Sequence, residues 1–108
     1  MLILPNGAAA RRIVVKVGSA LVVDPESAAP RAAWMNTLAA DIAALRAAGA
    51  EVVLVSSGAI ALARRSLGLL QPRLRLEEKQ AAAAVGQIRL AGAWAEALSA
   101  HGQSAAQL

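Results

Sequence analysis

The sequence predicts an α/β fold on a parallel sheet, and three observations predict it. Two short β-branched runs, RIVVKV (Arg12–Val17) and EVVLV (Glu51–Val55), each lead into a glycine-containing turn. A helical pattern lies between them. A long alanine-rich helical pattern follows the second run, with no sign of a hairpin anywhere. Strand, helix and strand in succession is the βαβ arrangement, which requires a parallel pair and a right-handed crossover.

Each element has its own signal. Arg12 to Val17 is a nearly continuous apolar run stopped by Gly18, the pattern of a strand buried on both faces. Gly18 to Ala20 forms a loop, and Leu21 to Val23 extends the strand briefly before the turn residues Asp24, Pro25, Glu26 and Ser27. Pro30 fits the first turn of a helix, where its missing N–H has no intrahelical role. Trp34, Leu38, Ile42 and Leu45 then recur at helical spacing, and Gly49 suits a left-handed helix cap. After the second strand, Ser56, Ser57 and Gly58 turn the chain into a short helix over Ala59 to Ser66. Gly68 and Pro72 mark an irregular arm. Glu77 to about Ala100 reads as a long helix with Val85, Ile88, Ala95 and Leu98 on its apolar side and Gly102 at its end. Ser104 to Leu108 resembles the start of a third strand. Residues 1–11 read as a loose leader and residues 12–108 as part of one domain whose narrow sheet needs more chain to cover both faces.

Composition narrows the chemistry. The 108 residues are 57% hydrophobic but contain no Phe or Tyr, so the core must come from Leu, Val, Ile, Ala and two tryptophans. With no cysteine, disulfides and thiolate metal sites are excluded; with one histidine, His101, neither a zinc site nor a hydrolase triad is expected, and His101 reads as a surface or capping residue. No apolar run reaches the roughly 18 residues of a membrane span. Apolar residues precede the first arginines, the reverse of a secretory signal, so a cytoplasmic protein is expected. The P-loop pattern G-x-x-x-x-G-K-[ST], the dinucleotide pattern G-x-G-x-x-G and the G-x-S-x-G elbow are all missing. The net charge of +4 permits either weak association with polyanions or attraction of an anionic substrate. Arg64, Arg65, Arg73, Arg75 and Lys79 lack interleaved aromatics and are interrupted by Glu77 and Glu78. They read as a solvated arm of mixed charge, not a nucleic-acid surface.

In open parallel sheets, ligands bind beyond the carboxyl ends of the strands. Two such ends are present, Lys16-Val17-Gly18-Ser19 and Ser56-Ser57-Gly58-Ala59. Lys16 closes an apolar strand, so its ammonium either meets an anion at the rim or snorkels to solvent. Gly18 and Ser19 allow backbone N–H groups and a hydroxyl to approach a phosphate. Ser57 and Gly58 either present N–H groups to a carboxylate or phosphate, or serve only as a helix cap. Chemistry that depends on positioned positive charge, such as phosphoryl transfer, fits these groups.

The segments IVVKVGSALV, VVLVSSGAIALARRSLGL and EEKQAAAAVGQIRLAGAWAEAL, in this order from about Arg12 to Leu108, closely resemble the amino-terminal part of the glutamate-specific branch of the amino-acid kinase family. SSGAIA combined with KQAAAAVGQ separates that branch from N-acetylglutamate kinase, aspartokinase and uridylate kinase. The resemblance implies a three-layer αβα sandwich, present here in incomplete form. It also implies ATP-dependent phosphorylation of the L-glutamate γ-carboxylate, with Mg2+ on the nucleotide and no metal ligand from this chain. Lys16 would be catalytic and, with Gly18 and Ser19, would contact the ATP phosphates; Ser57, Gly58 and Ala59 would bind glutamate. KVGSA stands where the family often has a KLGT or KLGS turn. Further glutamate ligands, the adenine contacts and a second catalytic lysine would follow Leu108, so the 108 residues alone are expected to be inactive. A homo-oligomeric parent with neither membrane nor nucleic-acid partners in this part is implied as well. The rival readings are a non-catalytic anion-binding or chain-pairing stub, and another amino-acid kinase of the N-acetylglutamate or aspartate type.

Overall fold

In the computed structural model, residues 12–108 are described; the leader expected over 1–11 lies outside them. The element order is β1 (Arg12–Val17), α1 (Ser19–Val22), α2 (Ala32–Ala47), β2 (Glu51–Ser56), α3 (Ala59–Ala63) and α4 (Leu76–Ser99). β1 and β2 pair in parallel, with Arg12 opposite Glu51 and Val17 opposite Ser56. An exposed Arg12–Glu51 ion pair of 2.8 Å joins the amino-terminal end of the ladder.

Alternation along the strands sends Ile13, Val15 and Val17, with Val52, Leu54 and Ser56, towards the helices, while Val14, Lys16, Val53 and Val55 stay exposed. Burial on both faces, expected from the apolar runs, is therefore not found among the described residues, where the helices all pack on one face. The main core joins Val17, Val22, Val23, Met35, Leu62, Leu90 and Trp94, and a second cluster holds Ala39, Ile42 and Leu98. Trp34 meets Trp94 edge-on, with ring centroids 6.5 Å apart.

Several local expectations shift. Leu21–Val23 does not extend β1. The chain turns helically at Ser19–Val22 and so carries Val22 and Val23 into the core. Pro30 is not in the first turn of α2 but bridges Val23 just upstream of it. Gly49, at φ 96, ends α2 as expected: its N–H donates to Arg46 O at 3.0 Å and the next N–H, of Ala50, donates to Leu45 O at 3.1 Å. The stripe that α2 buries is Met35, Ala39 and Ile42, with Trp34 and Leu38 half-buried beside it. α3 stops at Ala63, short of Ser66.

α4 faces inward with Ala82, Gly86, Leu90, Trp94 and Leu98, spaced four apart, while Val85, Ile88 and Ala95 are exposed. The reason is close approach. A Cβ at Gly86 would lie 1.7 Å from Ala59 O and 2.5 Å from Ala59 C, so α4 rests directly on the backbone that begins α3. Residues 103–108 carry no secondary structure; they join β2 and the flank of α4 around a groove of about 1000 Å³. The third strand expected from Ser104 is not formed, in keeping with the weak β preference of its small and polar residues.

The start of α4 is tied by Glu78, which accepts the Arg75 N–H at 2.8 Å and the Gln71 Nε2–H at 2.9 Å. The backbone bond from Arg75 outweighs partial desolvation and holds the carboxyl below its ordinary range. A carboxyl with a depressed folded pKa stabilises above its unfolded value and loses that contribution as pH falls through the folded one. The first turn of α4 should therefore loosen in acid, below about pH 4. In Glu78→Gln that acid-dependent part should vanish from amide exchange across 76–80. Identical pH profiles in parent and variant would assign the effect elsewhere.

Candidate active site

The parallel register fixes the rim. Because Val17 pairs with Ser56, the turns after β1 and β2 start side by side, and the Ser57 N–H donates to Val17 O at 2.9 Å. Lys16, Gly18, Ser19 and Ser57 are exposed there, whereas Gly58 is buried and Ala59 half-buried.

Gly58 has a structural duty. It sits at φ 128, and a Cβ would come within 3.3 Å of Val23 Cγ2 and 3.6 Å of Val22 Cγ1. Only glycine meets that combination of backbone angle and closeness. Gly18 differs: its φ is −75, and a Cβ there would meet nothing within 4 Å.

Ser19, Ser57, Gly58 and Ala59 line a cleft of about 420 Å³ with Ser56, Ile60, Ala61, Arg64 and Ala83. Lys16 and Gly18 do not line it. Lys16 projects from the uncovered face of the sheet, so the ammonium and the cleft stand on adjoining sides of one edge. α3 has only five residues, so the positive end expected before it is short and the cleft depends on hydroxyls and individual N–H groups.

Two contributors escaped the sequence reading. Ser56 accepts a hydrogen bond from Trp94 Nε1 at 3.0 Å and donates to Ser57 O at 3.0 Å, which braces the turn from beneath. Its signal was present: alternation puts Ser56 on the same face as Val52 and Leu54. Arg64, assigned to a solvated basic arm, is instead half-buried, with its Nε donating to Leu69 O at 3.0 Å and its Nη2 donating to Gln71 O. His101 is half-buried 2.9 Å from Asn36 Oδ1, linking the segment after α4 to α2, and it does not line the cleft.

Chemically, the rim offers an ammonium, hydroxyls and N–H donors, a set that suits phosphate and carboxylate oxygens. Among the described residues no three His, Cys, Asp or Glu side chains come together to hold a metal ion, and none of their helices is long and apolar enough to cross a membrane.

The chain belongs to the Amino acid kinase family, whose sequence profile matches residues 11–108; its parallel pair and covering helices are an incomplete version of that α/β fold. Among its relatives, the glutamate 5-kinase of Gluconobacter oxydans (strain 621H) is 60% identical over 104 residues, which cover 96% of this chain and 28% of that protein. The glutamate 5-kinase of Paramagnetospirillum magneticum is 59% identical over 101 residues, or 94% of this chain and 27% of the relative. That of Caulobacter vibrioides is 58% identical over 100 residues, or 93% and 26%. The chain thus spans about a quarter of the length of these curated relatives.

Proposed function

We propose that these residues form the front part of a site that transfers the γ-phosphoryl group of ATP to the γ-carboxylate of L-glutamate. The product is glutamyl 5-phosphate, and the reaction is a first step towards proline in the cytoplasm. The observation that carries this reading is the meeting of two strand-end turns at one edge, joined by the bond from the Ser57 N–H to Val17 O. The glutamate 5-kinase relatives support the choice of acceptor.

In this reading a γ-carboxylate oxygen forms the new P–O bond as the bond to the ADP oxygen breaks. The carboxylate is already ionised at neutral pH, so no general base is needed. Lys16 stabilises charge on the transferring group. Gly18 and Ser19 approach the ATP phosphates, and the packing leaves the space before Gly18 open for them. Ser57, Gly58 and Ala59 hold glutamate. Mg2+, when bound with ATP, would screen the phosphate charge.

Joining residues 12–108 to the remainder of the Gluconobacter oxydans relative, in place of its own matching segment, tests the reading. Glutamate-dependent ADP release with hydroxylamine-trapped acyl phosphate is expected, and the 108-residue chain alone should be silent. Turnover of aspartate or N-acetylglutamate in place of glutamate would reject it, as would a folded but inert chimera. Within an active chimera, Ser57→Ala should raise the glutamate KM roughly 10-fold, as expected for one hydrogen bond to a charged group. A change confined to the ATP KM would remove Ser57 from the acceptor side.

A further inference from the structure

Among the described residues, Arg64 is the one charged residue lining the cleft, where its neighbours are small, apolar or hydroxyl-bearing. It is half-buried, and no carboxylate lies within ion-pair distance of it among the described residues. A guanidinium withdrawn from water without a counter-anion is unfavourable unless something compensates it. Leu69 O and Gln71 O provide part of that compensation, and they do so along one edge of the fork, through Nε and Nη2. Nη1 makes no hydrogen bond among the described residues. The fork is therefore held in place while its outer end keeps donors free, the arrangement that suits a second, planar anion.

Position along the cleft indicates which anion. Arg64 caps the carboxyl end of α3, and the Gly58–Ala59 turn lies at its start. Six residues of helical rise separate Gly58 from Arg64 by about 9 Å, and both line the same cleft. A ligand with one carboxylate at the turn therefore directs a second one, at the far end of a short carbon chain, towards the guanidinium. We infer that Arg64 is a specificity-determining residue that receives the α-carboxylate of the dicarboxylic amino acid whose γ-carboxylate lies at the Ser57–Ala59 turn. This rests on the kinase reading above and adds to it the group that distinguishes a dicarboxylate from a monocarboxylate.

The test uses the chimera with the Gluconobacter oxydans relative and two ligands. L-Glutamate carries the α-carboxylate; 4-aminobutanoate keeps the amine and the γ-carboxylate but lacks it. In R64Q the glutamate KM should rise roughly 10- to 100-fold, the range of a lost charge-assisted hydrogen bond. The inhibition constant of 4-aminobutanoate and the ATP KM should stay within about 2-fold, the scatter expected where no contact to the α-carboxylate exists to lose. R64K should recover part of the loss, because it restores charge without the fork. An equal rise for both ligands, or an unchanged glutamate KM, would overturn the inference and leave Arg64 as a brace for the segment at Leu69 and Gln71. Failure of the kinase reading looks different: the unsubstituted enzyme would form no acyl phosphate from glutamate.

Discussion

Replacing Gly86 with alanine is expected to destabilise the fold by about 3 kcal/mol or more, although alanine is the better helix former by about 1 kcal/mol. The added methyl would sit 1.7 Å from Ala59 O and 3.0 Å from Ala59 Cα. Both obstacles are backbone, so no rotamer change relieves the clash; α4 must move outward or the start of α3 must deform. Either response also shifts the Ser57–Ala59 turn, so glutamate affinity should fall along with stability. Gly92 is the matched control, since a Cβ there meets nothing within 4 Å. Gly92→Ala should gain about 0.5–1 kcal/mol from helix propensity. Urea unfolding of the two variants checks the pair, and a Gly86→Ala protein as stable as its parent would show that the helices are not in backbone contact.

The second large effect concerns rate. In the active chimera with the Gluconobacter oxydans relative, Lys16→Ala should lower kcat by about 10²-fold or more, near 3 kcal/mol of barrier, with a much smaller change in glutamate KM. Within residues 12–108 Lys16 is exposed near the end of β1, so removing its side chain creates no cavity there and should leave the stability of the 108-residue chain nearly unchanged. Steady-state kinetics on both substrates separates the possibilities. Full turnover in the variant would detach Lys16 from the chemistry, and a loss confined to glutamate KM would move it to the acceptor side.

The two strands and the glycine stops of α2 and α4 were legible because they depend on local chemistry. RIVVKV and EVVLV are β-branched and bounded by turn residues, and Gly49 and Gly102 stop their helices with the positive φ that glycine tolerates. Of the inward face of α4, only Leu98 was legible. Size pointed to Val85 and Ile88, but the contact with Ala59 selects the side with the smallest residues, and Gly86 and Ala82 occupy it. Closeness decides the buried stripe at Ala82 and Gly86, and large apolar side chains fill the core at Leu90, Trp94 and Leu98. α2 shows a milder form of this, its buried line running through Met35 and Ala39 beside Trp34 and Leu38.

For the rim, order along the chain was enough to predict that Lys16 and Ser57 would share an edge, since parallel strands end on the same side. The division of that edge was not predicted, because both apolar runs were read as buried on both faces. Lys16 points away from the cleft that Ser19 and Ser57 line, because strand alternation sends it to the uncovered face. Arg64 was hidden by composition: in a run of basic residues, nothing local shows that one of them folds back on the carbonyls of Leu69 and Gln71.

The two indoles are the only aromatic rings of the chain's hydrophobic complement, with neither Phe nor Tyr beside them. Near-ultraviolet absorption and emission from this chain therefore report on a single neighbourhood. That neighbourhood includes the Trp94 Nε1 bond to Ser56, whose hydroxyl also holds the Ser57 carbonyl. The turn and an intrinsic optical reporter are thus one hydroxyl apart, so movement at the turn has a direct route into the fluorescence spectrum without any attached dye.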